Sequence, residues 1–191
     1  MAKPYHRENL RGDIMHIAAQ LIAERGPDAL SLRDIARRAD VSHAAPAHHF
    51  GDRRGLFTAL SVEGFTLLAE TLAESVSAAR FDRTALAYVR FAVSHPGHYA
   101  VMFRPDLIDS TEDLIAAREN AAAQLDAGLD TVPDHRVTVD IGDARRAAWA
   151  LVHGLSSLWL SGAFGDADLE PAVLAAAHQL FTPSGSEQLP D

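Results

Sequence analysis

Apolar residues recur every three or four positions along most of the chain, which is the period of an amphipathic α-helix. In the first such stretch they share one helical face: Leu10, Ile14, Ile17, Ala18, Leu21 and Ile22. Gly26-Pro27 then predicts the end of this helix, because both residues interrupt helical backbone. A second, shorter helix is expected from Ser31, since Ser31 and Asp34 have the spacing of a capping box.

A third and a fourth helix follow closely. The turn Ala39-Asp40-Val41 ends the second helix, and Ser42 has the side chain of an N-cap. We therefore expect a third helix of about seven residues that ends at His49-Phe50. Asp52 is the next candidate N-cap, and the apolar period after it predicts a long helix over about 53–79.

The rest of the chain is also predicted to be helical. Helices are expected at about 83–94, 97–104, 111–129, 140–163 and 168–181. Pro96 suits the first turn of its helix, where a missing N–H group breaks no intrahelical bond. The triplet Val137-Thr138-Val139 is rich in β-branched residues but has no partner strand. The predicted fold class is all-α.

Two short helices joined by a tight turn and packed on a longer first helix are the arrangement of a helix-turn-helix. Its second short helix enters the major groove of DNA, so that helix needs a buried inner side and an exposed outer side. The candidate anchors on the inner side are Val41, Ala45 and Phe50, and the candidate outward residues are His43, Ala44, Ala47 and His48. The pattern alone is also compatible with a bundle of three helices that does not bind DNA.

The net charge of −9 argues, taken alone, against a nucleic-acid partner. The charge is unevenly distributed, however. Residues 1–60 contain nine Lys or Arg, seven Asp or Glu and five His, whereas residues 61–191 carry a balance of −11. The N-terminal part is therefore able to approach phosphates, and the C-terminal part is expected to have a different task.

Several classes of protein are disfavoured by composition. The absence of cysteine excludes disulfides, thiolate metal sites and a cysteine nucleophile. The first residues lack the apolar core of a signal peptide, and no uncharged apolar stretch of about 18 residues is expected to span a bilayer. Residues 149–164 come closest but include His153 and Gly154. We expect a cytoplasmic protein without a membrane partner.

Three motifs follow one another in the N-terminal third: Ser31-Leu32-Arg33-Asp34-Ile35-Ala36-Arg37-Arg38-Ala39-Asp40-Val41-Ser42, His49-Phe50-Gly51-Asp52-Arg53 and Leu56-Phe57. In order and spacing they resemble the DNA-binding domain of the TetR family of repressors. The resemblance implies an N-terminal three-helix helix-turn-helix domain plus a C-terminal helical domain for ligand binding and dimerisation. We place these domains at 1–57 and 58–181, followed by a disordered tail at 182–191.

The same resemblance implies which residues contact the operator: Ser31, Arg33, Ser42, His43, Ala44, Ala45, Ala47, His48, His49 and Arg53. Arg53 stands where the family commonly has a phosphate-directed lysine. Pro46-Ala47 replaces the usual leucine-tyrosine pair, so a phosphate-binding hydroxyl is missing, and Pro46 is expected at about the fourth helical position. Asp40 replaces a turn glycine, and Asp is among the residues that accept a left-handed backbone.

Two later segments, His95-Pro96-Gly97-His98-Tyr99-Ala100-Val101-Met102-Phe103 and Trp149-Ala150-Leu151-Val152-His153-Gly154-Leu155, resemble the C-terminal domain of a TetR subgroup with a Trp-His-Gly signature. Met and aromatic residues with a few polar groups suit an adaptable apolar pocket, although a plain core has the same composition. The candidate ligand-binding residues are His95, Tyr99, Met102, Phe103, Trp149, Val152, His153 and Ser156.

The sequence thus predicts a repressor that binds a pseudo-palindromic operator of double-stranded DNA as a homodimer and is released by a small, largely apolar effector. The small residues and apolar stripes of the last two helices predict the dimer interface there. No cofactor is expected. A metal-responsive regulator using His95 and His98 is the main alternative. A helical enzyme is disfavoured, because the chain has no His-Glu-x-x-His, phosphate-loop or Gly-x-Ser-x-Gly motif.

Overall fold

The computed structural model describes residues 9–76, 80–133, 137 and 139–181. In these residues the regular backbone is helical, which confirms the all-α fold class. The helices are α1 (Leu10–Arg25), α2 (Leu32–Arg38), α3 (Ala45–Phe50), α4 (Arg53–Val76), α5 (Phe81–Ser94), α6 (Pro96–Met102), α7 (Glu112–Leu129), α8 (Ile141–Leu160) and α9 (Leu169–Leu180). The predicted tail at 182–191 and the last residues of the predicted fourth helix, 77–79, lie outside the described residues.

The helix ends are set by local chemistry. The Asn9 side chain accepts a hydrogen bond from the Gly12 amide at the start of α1, and Gly26, with a φ of 77°, follows its last turn. The Asp52 carboxylate accepts from the Gly55 amide at 2.9 Å, so Asp52 caps α4 as predicted. Pro96 is the first residue of α6, where its missing N–H group removes no bond.

The chain folds into two compact units that do not coincide with the predicted division at residue 57. The first unit comprises the chain up to Leu67 together with His95–Glu119, and therefore includes α6 as well as α1, α2 and α3. The second unit comprises Leu68–Ser94 and the chain from Asn120 onward. The helices α4 and α7 contribute residues to both units.

In the first unit α1 is the central helix, in contact with α2, α3 and α6. Its inner face is buried together with two apolar residues of α2, whose Leu32 is half-buried, and with those of the first turns of α4. The buried residues are Ile14, Ala18, Leu21, Ile22, Ile35, Ala36, Leu56, Phe57 and Leu60. Of the predicted apolar stripe of α1, four residues are confirmed as core, whereas Leu10 and Ile17 are only half-buried. This core holds α2 and α3 in place.

In the second unit α5 packs against both α8 and α9. At one end of α5 the rings of Phe81 and Phe181 meet edge to face, with centroids 5.0 Å apart. Further along, Arg83 and Arg90 both donate to the carboxylate of Glu170, which joins α5 to the first turn of α9. These contacts fix α9 along α5.

Asp82 is a buried carboxylate in the first turn of α5. Arg80 donates to it through two nitrogens, at 3.1 and 2.5 Å, and His178 on α9 lies 3.1 Å away. Burial by itself raises the pKa of the Asp82 carboxyl, but the hydrogen bonds from Arg80 and the Arg83 amide, with the positive charges nearby, outweigh burial and hold the pKa below its usual value.

Replacing Asp82 by asparagine is expected to lower the free energy of unfolding at pH 7 by about 1–2 kcal/mol, because the charge-assisted bonds from Arg80 are lost and the contact with His178 of α9 is weakened. A carboxyl whose pKa is lowered on folding stabilises the protein above its unfolded pKa and loses this effect as the pH falls through the folded value. The difference between the two proteins should therefore shrink below about pH 4 in urea titrations. The control Asp143→Asn, which removes an exposed i,i+3 pair with Arg146, should change little. An equal loss of unfolding free energy at pH 7 and below about pH 4 would contradict the role of the Asp82 charge.

One described helix, α4, is long and apolar enough by length and composition to cross a membrane, with a mean hydropathy of 1.3 over its best window. This corrects the expectation that residues 149–164 come closest to a span. In the folded chain 56% of that α4 window is buried inside the protein, which is the ordinary situation of a core helix.

Candidate nucleic-acid interface and effector residues

The capping box at the start of α2 is confirmed. The Asp34 amide donates to the Ser31 hydroxyl at 3.2 Å, and this hydroxyl donates to the Asp34 carboxylate at 2.5 Å. The hydrogen bond from Ser31, with the positive charge of Arg37, lowers the pKa of the Asp34 carboxyl. After α2 the backbone turns at Asp40, whose φ of 53° confirms the predicted left-handed conformation.

The start of α3 differs from the prediction. The helix begins at Ala45, its N-cap is Ala44 without a side-chain hydrogen bond, and Ser42 belongs to the preceding turn. The proposed cap at Ser42 and the fourth helical position of Pro46 are therefore wrong. Pro46 is the second helical residue, among the first four whose N–H groups have no partner within a helix. The proline is accommodated because the helix begins later.

The inward side of α3 is formed by Pro46 and Phe50, which are buried, whereas the predicted anchors Val41 and Ala45 are only half-buried. The guanidinium of Arg11 lies 5.1 Å from the centre of the Phe50 ring. Every predicted outward residue is exposed, and so are the neighbouring polar residues: Ser42, His43, Ala44, Ala47, His48 and His49. The segment 42–49 therefore presents a nearly continuous exposed surface beside its buried anchors.

The arginines near this surface differ in their contacts. Arg37 pairs with Asp34 at 2.7 Å and Arg38 with Glu24 at 3.2 Å, whereas Arg33 is exposed and has no ion pair recorded within the described residues. Ser31 is also exposed. Arg33 is thus the arginine of α2 whose charge is most available to a phosphate.

Arg53 has structural contacts that the sequence did not indicate. One guanidinium nitrogen lies 3.4 Å from both the Asp28 and the Leu30 carbonyl oxygens, and the group stacks 5.2 Å from the centre of the Phe57 ring. Arg53 therefore ties the loop between α1 and α2 to the start of α4. Its replacement would disturb the fold as well as the surface charge, so it tests phosphate contact poorly.

Arg54 is a second arginine whose contacts sequence reasoning missed. It donates to the Asp109 carboxylate at 2.5 Å and to the carbonyl oxygens of Asp106 and Ile108 at 2.8 and 2.5 Å. The Thr58 hydroxyl accepts from the Asp109 amide and donates to the Arg54 carbonyl, both at 2.9 Å. The loop after α6 is thus fastened to the first turns of α4.

The candidate effector residues of α6 lie in the first unit. Tyr99 and Met102 are buried, and the half-buried ring of Phe103 lies 5.3 Å from Tyr99 and 5.4 Å from Phe65 of α4. The ring of His95 is 5.9 Å from that of His98. This cluster of rings and a thioether has the composition expected of an apolar pocket and equally that of a core.

The candidate effector residues of α8 lie in the second unit. Val152 and Ser156 belong to its buried stripe, and the Ser156 hydroxyl donates to the Val152 carbonyl at 2.7 Å. Trp149 is 52% exposed and His153 is half-buried, with a pKa lowered by that burial. Two surface hollows in the described part of the chain, of about 460 and 260 Å³, are lined by other residues. The effector role of all eight candidates stays a prediction.

The metal-responsive alternative gains no support from the geometry. The imidazole of His98 lies 2.8 Å from the Glu63 carboxylate and is thereby engaged. Among the residues that the structure describes, no three His, Cys, Asp or Glu side chains are grouped so that they would hold a metal ion.

The short α2 and α3, the left-handed turn at Asp40 and the exposed outer side of α3 define a helix-turn-helix. Residues 14–60 match the family model of bacterial regulatory proteins of the tetR family, and residues 81–180 match the model of the tetracyclin repressor-like C-terminal domain. The chain belongs to the TetR family. Membership of the TetR subgroup with the Trp-His-Gly signature stays a prediction.

The chain spans about a third of the length of the curated relatives that it matches most strongly. It is 44% identical over 57 residues to the HTH-type transcriptional repressor Rv3405c of Mycobacterium tuberculosis, and this alignment covers 30% of each chain. A protein of unknown function from Rhodococcus sp. RHA1 has a similar structure, with a TM-score of 0.76, 30% identity and coverage of 94% of this chain and 97% of that one. The regulator PfmR from Thermus thermophilus, at 23% identity, a TM-score of 0.71 and coverage of 88% and 96%, shows the shared fold.

Proposed function

We propose that this protein is a transcriptional repressor that inserts α3 into the major groove of a pseudo-palindromic operator. The observation that carries the proposal is the exposed surface 42–49, held against the core by the buried Pro46 and Phe50. A recognition helix needs this division between an anchored and a free side. The excess of positive over negative residues in 1–60 and the available charge of Arg33 support an approach to phosphates.

We further propose a homodimer that forms through α8 and α9. Four large apolar side chains are at least 39% exposed on α8: Ile141, Trp149, Leu158 and Leu160. Exposed apolar side chains of this size on one helix favour burial against a second copy. Two recognition helices related by a two-fold axis would then reach half-sites about 34–36 Å apart.

The effector is proposed to be a small, largely apolar molecule, and the candidate residues of α6 and those of α8 are each proposed as effector contacts. To release the operator, the effector needs only a higher affinity for the conformation in which the two DNA-binding domains of the dimer are wrongly spaced for the two half-sites. Coupling between the two sites of about 1–3 kcal/mol would be typical of such a regulator. The protein would act in the cytoplasm without a cofactor and without catalysis.

Selection of bound sites from randomised DNA, followed by fluorescence anisotropy on the selected site, tests the proposal. We expect a two-fold symmetric site, two chains per DNA duplex by sedimentation, and an affinity that falls steeply with salt. Replacing Arg33 by alanine should weaken binding about tenfold and reduce the salt slope by about one. The matched control Arg118→Ala removes the same charge from an exposed position of α7, away from the surface 42–49 and from α8 and α9, and should retain the affinity. Failure to enrich any site, or binding that is insensitive to salt, would contradict the function.

A further inference from the structure

The side chains that α3 and its preceding turn offer to DNA include no long cation and no amide. Between Val41 and Arg53 the sequence contains no Arg, Lys, Asn or Gln. These four residue types supply most of the hydrogen bonds by which a recognition helix distinguishes base pairs. Since Asp52 is engaged as the cap of α4, base reading by this segment is left to imidazoles, one serine hydroxyl and methyl groups.

The methyl groups lie where base edges are normally contacted. Ala44 is the N-cap of α3 and Ala47 is its third residue, and both are exposed. Their spacing of three places them on neighbouring positions of the helix surface. Pro46, which lies between them in sequence, is buried and fixes which side of the helix faces outward. Recognition helices contact base edges with their N-terminal residues, which here carry two exposed methyl groups.

Thymine is the only base that presents a methyl group, at C5, in the major groove. We propose that the protein reads its operator half-site through thymine methyl groups packed against the side chains of Ala44 and Ala47, an inference that rests on the proposed operator binding. His43 and His48 flank these methyl groups in sequence and are exposed, so each is able to donate one N–H group to a purine N7 or to a carbonyl oxygen of a neighbouring base. Short side chains also let the helix backbone approach the base edges closely.

The test removes one methyl group from each side of the contact. In the selected site each thymine is replaced in turn by deoxyuridine, which lacks only the C5-methyl, and binding is measured for the full chain and for Ala44→Gly and Ala47→Gly. At a contacted thymine the replacement should weaken binding of the unmodified protein about fourfold, the amount expected for one buried methyl-sized group. In the corresponding glycine variant the same deoxyuridine replacement should have little further effect.

Combining the DNA replacement with the protein replacement separates the effect of the methyl contact from the effect of glycine on helix stability. Glycine weakens a short helix, but this loss is the same on both DNAs and cancels from the comparison. The matched control Ala23→Gly, at an exposed position of α1, should keep the full response to deoxyuridine. A selected half-site without thymine, or a deoxyuridine effect that persists undiminished in both variants, would overturn the inference and leave operator binding intact. Failure to select any site would instead overturn the proposed function.

Discussion

Replacing Gly97 by alanine is expected to destabilise the protein by about 2 kcal/mol, the upper part of the usual range for an overpacked core. Gly97 is buried in the first turn of α6, where this helix crosses α1. A Cβ atom at this position would lie 2.0 Å from the Ala19 carbonyl oxygen and 2.7 Å from its carbonyl carbon. Both atoms belong to the backbone of α1 and have no rotamer to change, so the two helices must separate. The gain in helix propensity of about 1 kcal/mol is too small to offset this separation.

Thermal unfolding followed by circular dichroism measures the effect, and a loss of this size should lower Tm by about 4–8 °C in a chain of this length. The matched control is Gly12→Ala in α1, whose Cβ atom would lie 2.5 Å from Nδ2 of the Asn9 side chain. Moving that side chain costs α1 its N-cap, about 1 kcal/mol, which the gain in helix propensity offsets, so the control should be milder than Gly97→Ala. If Gly97→Ala unfolded at the same temperature as the unmodified chain, α1 and α6 would have to lie further apart than they do here.

Features that depend on close neighbours in sequence were predicted well. The capping box of Ser31 and Asp34, the left-handed Asp40 and the cap of Asp52 each involve residues within about one helical turn. Most of the predicted apolar stripe of α1 is also buried, because helical period and burial are directly linked. The helical period also predicts the exposed outer side of α3, which is confirmed.

The start of α3 was predicted wrongly because Ser42 has a capping side chain and the family resemblance places the recognition helix there. A helix that began just after Ser42 would put Pro46 at a position that donates a hydrogen bond. By beginning at Ala45, the helix keeps Pro46 among the residues whose N–H groups have no helical partner. The steric and hydrogen-bonding demands of proline outweighed the capping preference of serine.

Contacts between distant segments could not be predicted. Arg54 meets the loop around Asp109, and Asp82 meets His178, across 55 and 96 positions of sequence respectively. Single charged residues have no period and no motif that identifies a partner so far along the chain. The role of Arg53 was also hidden, because a positive charge at the start of α4 suits a phosphate contact as well as it suits the loop carbonyls.

Replacing Gly55 by alanine is expected to reduce operator affinity at least about tenfold while the chain remains folded. Gly55 lies in the first turn of α4, and a Cβ atom there would be 2.1 Å from the carbonyl oxygen of Phe50, the last residue of α3. The same carbonyl accepts from the Asp52 amide at 3.0 Å, so it is held in the turn that joins the two helices. To make room, the end of α3 must move away from α4, which changes the angle at which the exposed surface 42–49 meets DNA.

The effect of Gly55→Ala on binding should exceed its effect on stability, because the turn between α3 and α4 is exposed and has room to yield, whereas two half-sites require both recognition helices to be placed accurately. Fluorescence anisotropy on the selected operator measures the affinity, and circular dichroism of the same samples shows whether α-helical content is kept. Gly64→Ala is the control on the same helix, since its Cβ atom would crowd the buried Met102 side chain, 2.7 Å from Sδ, and the Cβ of His98 at 3.2 Å, both of which belong to α6 and not to α3. Unchanged operator affinity in a folded Gly55→Ala protein would mean that α3 does not owe its orientation to the close approach of Gly55 and Phe50. A loss of affinity matched by Gly64→Ala would assign the effect to α4 as a whole and not to the junction with the recognition helix.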